Sequence, residues 1–230
     1  MPNADPNAEL MRSLGRLVRG LSALFWGLPA ALVVCFHTAR AEALRSLGVW
    51  PAMACTGLLV YGLWQMGAFQ RQERVWRNAL DTARILGLIN FGLSPFLYWS
   101  NKIPGNFFFY LMVLLMLATA LFFIGSLNLV LRRLGAMLPD EGLRHEVRQF
   151  TSLNLNLLGA TFLLAVVYVA LGHVQNRPLY FDAVMMVLDQ GSFWFLILLV
   201  LLPLAMTMAL LWKTKEVILD SVFSAKPPAH

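Results

Sequence analysis

Charged positions in this chain fall in clumps, and between the clumps run six stretches without a single Asp, Glu, Lys or Arg. They lie between Arg19 and Arg40, Arg45 and Arg71, Arg84 and Lys102, Lys102 and Arg132, Arg148 and Arg177, and Asp189 and Lys213. Each stretch is close to or longer than the roughly 17 to 25 apolar residues that a helix needs to cross the hydrocarbon of a bilayer. None shows the period of two that marks a barrel strand, and backbone groups cannot stay unpaired in lipid, so each predicts one spanning helix. The expected helices cover 21–38, 47–69, 85–100, 107–131, 152–172 and 192–212. The tightest connection, 101–106, holds Pro104 and Gly105 side by side, a turn signal that makes the third and fourth helices antiparallel neighbours. A basic lead-in, a helix, an outer turn and a second helix recur three times. The predicted fold class is thus an all-α integral membrane protein, a bundle of about six transmembrane helices arranged as three tandem hairpins.

Composition excludes the alternative of a soluble domain. The 230 residues are 59% hydrophobic and 13% charged, against about 45–50% and about 25% for an ordinary soluble protein. Too few charges remain to cover a water-exposed surface. Their distribution also orients the chain. When alternate loops are assigned to alternate sides, one side collects fourteen of the 18 basic residues, and the other has only Arg40, Arg45, Lys102 and Arg177. Basic residues stay on the cytoplasmic side, so both termini are expected there. The same bias accounts for the net charge of +6 and leaves no reason to expect nucleic acid as a partner. The expected organisation is a basic cytoplasmic segment over 1–20, a six-helix domain over 21–212 and a short cytoplasmic tail over 213–230. The location that fits is a bacterial inner (plasma) membrane. The first apolar run ends in Cys35-Phe36-His37-Thr38 without a small-residue cleavage pattern, which predicts an anchor that is kept.

Aromatic residues gather at both expected interfaces: Trp50, Tyr98, Trp99, Phe107, Phe108, Phe109, Tyr110, Tyr180, Phe181 and Trp194 outside, Trp76 and Trp212 inside. Pro29, Pro51, Pro95 and Pro203 lie within or at the edge of expected helices, where they predict kinks. Catalytic chemistry finds no foothold. His145-Glu146 lacks the second histidine of a zinc-protease pair, and there is no phosphate-cradling glycine loop, no nucleophile elbow and no carboxylate inside a span. Cys35 and His37, two apart, point to different faces of a helix, so neither metal nor cofactor is expected.

What the spans do contain is uncharged amides. Gln65, Asn90, Asn128, Asn154 and Asn156 all fall roughly 6 to 12 Å inside the expected cytoplasmic ends of their helices, at 1.5 Å per residue. Such a layer either lines a cytoplasm-facing vestibule for a solute or supplies interhelical hydrogen bonds. At the N-terminus, Arg12, Arg16 and Arg19 share one helical face opposite Leu10, Leu14 and Leu17, which suits contact with anionic lipid. Before the third helix, Arg74, Arg77, Asp81 and Arg84 share another face, with internal pairing at i+3 and i+4 and a possible role in docking a partner. In the loop over 173–190, Asp182 and Asp189 stand seven apart. The expected function is a non-catalytic membrane protein acting as a structural or accessory subunit with other membrane subunits, lipids or further copies of itself. The alternative is a small channel or carrier for a neutral or weakly polar solute.

Overall fold

The computed structural model describes residues 6–40, 45–69, 73–138, 141–172 and 200–220. Within them the chain is helical and has no strand. The order is α1 (Pro6–Arg40), a short 3-10 turn (Arg45–Leu47), α2 (Trp50–Met66), α3 (Arg74–Leu93), α4 (Pro95–Lys102), α5 (Phe107–Met137) and α6 (Glu141–Gly172). A further helix, α7, occupies 200–220. Among the described residues three helices are long and apolar enough to cross a membrane, over Met11–Arg40, Phe107–Met137 and Arg144–Val167.

The remaining expected spans differ for physical reasons. With 17 residues, α2 reaches about 26 Å at 1.5 Å per residue and sits at the short limit for a spanning helix. The helix expected over 85–100 is cut between α3 and α4. Proline has no N–H to give to the carbonyl four residues earlier, and Ser94 Oγ donates to that carbonyl, Phe91 O, at 2.8 Å. The serine is fully buried and covers the break from inside. The start of the helix expected over 192–212 lies outside the described residues, as do the loop over 173–190 with its two aspartates, the outer aromatics Tyr180, Phe181 and Trp194, and the tail beyond 220. Pro51 causes no kink, because it falls in the first turn of α2, where a missing N–H leaves nothing unpaired. The described part of the expected basic segment, 6–20, is not a helix of its own. It continues into the apolar part of α1, whose 35 residues extend about 52 Å, well beyond the roughly 30 Å of hydrocarbon.

Neighbouring helices pack in opposed directions. Gly20 meets Gly62 and Gly27 meets Leu59 across α1 and α2, Asn90 bonds Thr119 across α3 and α5, and Gly135 meets Val147 while Gly125 meets Leu155 and Leu158 across α5 and α6. The closest approach is at Gly20 and Gly62. A β-carbon on Gly20 would stand 2.6 Å from Gly62 O, and one on Gly62 3.0 Å from Gly20 O. Only two glycines let the backbones lie that near, which is how apolar helices gain dispersion contact where water provides no driving force. Around this contact a core of leucines collects from five helices, including Leu17, Leu24, Leu63, Leu80, Leu131 and Leu211.

Trp76, expected at the inner interface, is instead a core residue at 1% exposure. Its indole donates to Phe69 O at 3.1 Å and meets the Phe69 ring edge-on, so its one polar atom is satisfied and the ring can be buried. Trp50, Phe107, Phe108, Tyr110 and Trp212 are exposed.

Candidate functional site

The amides are the only uncharged polar side chains that sequence analysis placed together, and the structure sorts them into different surroundings. Asn128 on α5 and Asn154 on α6 are both completely buried and converge on one atom, the hydroxyl of Thr207 on α7. Asn128 Nδ2 donates to Thr207 Oγ1 at 2.9 Å and Asn154 Nδ2 at 3.0 Å. Thr207 Oγ1 donates in turn to Pro203 O at 2.8 Å. A hydroxyl has one proton and two lone pairs, and here all three are in use. The second N–H of each amide goes to a backbone carbonyl, Ile124 O for Asn128 at 2.8 Å and Pro203 O for Asn154 at 3.1 Å. Because every partner is an acceptor, the amide nitrogens are fixed on these atoms and the carbonyls face away. Among the described residues, Asn128 Oδ1 and Asn154 Oδ1 are buried without a hydrogen-bond partner, as is Thr214 Oγ1 two turns further along α7.

Pro203 belongs to this arrangement. Its carbonyl receives both Thr207 Oγ1 and Asn154 Nδ2, so the turn of α7 after the proline is held by side chains of two helices. Toward the charged end the same helices are tied by an ion pair between Lys213 of α7 and Glu146 of α6. Thr151 Oγ1 adds a long bond of 3.5 Å to Asn128 O.

The other three amides lie elsewhere. Asn90 is buried between α3 and α5, donating to Leu86 O at 2.8 Å and accepting from Thr119 Oγ1 at 3.2 Å. It borders an apolar cavity of about 300 Å³ walled by Leu28, Leu59, Met116, Phe123 and Leu204. Gln65 is half-buried at the end of α2 and faces a separate groove. Asn156, two residues from Asn154, points to the outside of α6. The single layer expected around one opening is therefore divided. Asn128 and Asn154 come together, and Gln65, Asn90 and Asn156 each stand in a different environment.

Arg12, Arg16 and Arg19 share an exposed face of α1, opposite the buried Leu17. Arg74 and Arg77 are likewise exposed. Asp81 pairs with Arg84 at 3.0 Å, the expected i+3 bridge. Arg84, however, turns inward. Its Nε and Nη2 each donate to Leu63 O at 3.3 Å, Nη2 also reaches Trp64 O at 3.4 Å, and the guanidinium lies 5.4 Å from the Trp64 ring centre. Those carbonyls belong to the last turn of α2, where carbonyls lose their i+4 partners; Trp64 O also takes the Gly67 N–H at 3.2 Å, and Arg84 adds donors to this end from another helix. The fit depends on Gly67, where a β-carbon would come within 1.8 Å of Arg84 Nη2.

No family model, curated protein or solved structure matches this chain. Function must be argued from the residues themselves. Thr207, Thr119, the Lys213–Glu146 pair and the Gly20–Gly62 contact were not legible as site features in the sequence. A hydroxyl four residues after Pro203 within an apolar run was the available signal for Thr207, since it sits where a proline leaves helix geometry in need of side-chain support. The glycine contact had none, because Gly20 and Gly62 belong to different helices and neither repeats at a fixed spacing.

Proposed function

We propose that this chain is a non-catalytic multi-pass membrane protein that acts as a structural or accessory subunit, packing with other membrane proteins, lipids or a second copy of itself. In this reading six helices cross a bacterial inner membrane as three tandem hairpins, with both ends in the cytoplasm. The opposed helix directions support the hairpins, and the fourteen basic residues assigned to one side support the orientation. One observation carries the functional reading. Among the described residues the buried polar side chains other than Thr214 bond other helices or their own backbone, as in Asn128–Thr207–Asn154 and Asn90–Thr119, while Phe122, Leu129, Leu153, Leu163 and Leu164 cover the outside of α5 and α6. A surface so apolar calls for lipid or another protein against it.

Tagged protein drawn from native membranes should bring down a recurring membrane partner at fixed stoichiometry. A protein that is stable alone in detergent and moves a neutral solute into reconstituted vesicles would overturn the reading. That outcome would favour the channel or carrier, which has its own support in the two buried carbonyls, Asn128 Oδ1 and Asn154 Oδ1, that accept nothing from the described residues. Asn154→Leu separates the two. The subunit reading expects lower stability with unchanged activity per folded molecule, whereas a carrier would lose flux in the molecules that remain folded.

A further inference from the structure

Along α2 and α3, beside Arg16 of α1, lies a groove of about 690 Å³. Its two ends differ in chemistry. At one end stand Arg16, Gln65, Trp64 and Arg84; toward the other lie Val60, Leu88 and Phe91. The polar end presents donors. Arg16 is exposed and makes no ion pair or hydrogen bond among the described residues, and the Gln65 amide has no partner there either. Arg84 is partly neutralised by Asp81 and by the α2 carbonyls. Among the described residues Arg16 is therefore the uncompensated charge at this end, and Arg84 forms the wall beside it.

We infer that this groove is a binding site for an anionic phospholipid, its phosphodiester held by Arg16 and Gln65 beside Trp64 and one acyl chain lying over Val60, Leu88 and Phe91. Each part of the molecule meets matching chemistry. A phosphate needs cationic and neutral donors, an indole favours the headgroup level, and an acyl chain needs apolar surface. The distribution of groups also sets the ligand's direction, since the basic end belongs to the side where Arg12, Arg16 and Arg19 gather. A zwitterionic lipid carries the same phosphate but adds an ammonium group that Arg16 repels. Net negative charge is thus the feature selected. This site rests on the membrane-spanning reading and is independent of whether the chain is a subunit or a carrier.

The test uses full-length protein purified in a mild nonionic detergent and analysed by native mass spectrometry. It is offered phosphatidylglycerol, phosphatidylcholine with the same chains, or inorganic phosphate alone. Phosphatidylglycerol should be retained about ten-fold more than phosphatidylcholine, and phosphate should not be retained. Arg16→Gln should lower phosphatidylglycerol retention about five-fold, the scale of one basic residue at an anionic surface. Leu88→Trp, a change at an exposed position, should fill the groove and lower retention of both lipids, while Arg12→Gln, on the same face of α1 but outside the groove, should change it less than two-fold. Equal retention of the two lipids, an Arg12→Gln loss as large as that of Arg16→Gln, or binding of phosphate alone would overturn the site while leaving the membrane reading intact. Protein that stays monodisperse in plain buffer without detergent would overturn both.

Discussion

Two junctions in this bundle hold helices together by opposite means. Between α1 and α2, Gly20 and Gly62 remove their side chains altogether, so that two backbones touch and leucines close around them. Between α5, α6 and α7, two buried amides reach across to one hydroxyl. The first contact has no polar group to satisfy, and its strength depends on shape. The second depends on directed bonds, and it leaves two carbonyl oxygens buried without a partner among the described residues. Lipid supplies no hydrophobic drive between apolar helices, so close packing and hydrogen bonding are the two remaining sources of affinity. This chain uses each in a different place. The packed junction should tolerate no added volume, and the bonded one should tolerate no lost acceptor.

The largest effect should come from adding volume to the packed junction. Gly62→Leu forces apart backbones that already meet at the van der Waals limit, and overpacking of this kind typically costs about 1–3 kcal/mol. Equilibrium unfolding in mixed detergent micelles measures it; a wild-type midpoint would show that the α1–α2 contact is looser than described. Next comes Thr207→Val, which keeps the shape and removes the shared acceptor. Interhelical bonds in membranes average about 0.6 kcal/mol and reach about 1.7, so losing two should cost about 1–2 kcal/mol, with Thr207→Ser restoring most of it. Full stability in Thr207→Val would mean that the amide bonds contribute nothing.

Arg84→Ala should cost about 1 kcal/mol, the net worth of a typical hydrogen bond, by removing donors from the end of α2. Its coupling to Gly67 is the sharper measurement. Gly67→Ala should destabilise the wild type, where the new methyl meets Arg84 Nη2, and should be tolerated in the Arg84→Ala background. Additive effects in that double-mutant cycle would show that the two residues do not interact. The smallest effect belongs to Asn156→Leu. This amide lies on the outside of α6, two residues from the buried Asn154, and its replacement should shift stability by less than about 0.5 kcal/mol. A loss as large as that of Asn154→Leu would mean that a partner helix covers this face, and would strengthen the subunit reading.

Much of the helical layout was legible beforehand because charge-free runs are a one-dimensional property. The start of α5, the turn around Pro104 and Gly105, and the Asp81–Arg84 bridge all follow from neighbours in sequence. Depth along a helix was readable by counting residues from the nearest arginine, which put Asn128 and Asn154 in one layer with Gln65, Asn90 and Asn156. Direction around the helix was not. Asn154 and Asn156 differ by two positions, about 200° of rotation at 3.6 residues per turn, and nothing in a uniformly apolar run says which side faces the bundle. Trp76 misled for the same reason, since an aromatic near a basic cluster suits either an interface or a core.

The sequence by itself determined that this chain is helical and apolar, where its charges interrupt it, and which side chains in the apolar runs carry hydrogen-bonding groups. Only the tertiary structure decided which of those groups meet. Thr207 as a common acceptor joins residues 79 and 53 positions apart, Arg84 reaches a carbonyl 21 positions away, and the glycine pair is separated by 42. They exist because packing fixes the rotation of each helix about its axis. An apolar run leaves that rotation undetermined until a second helix lies against it.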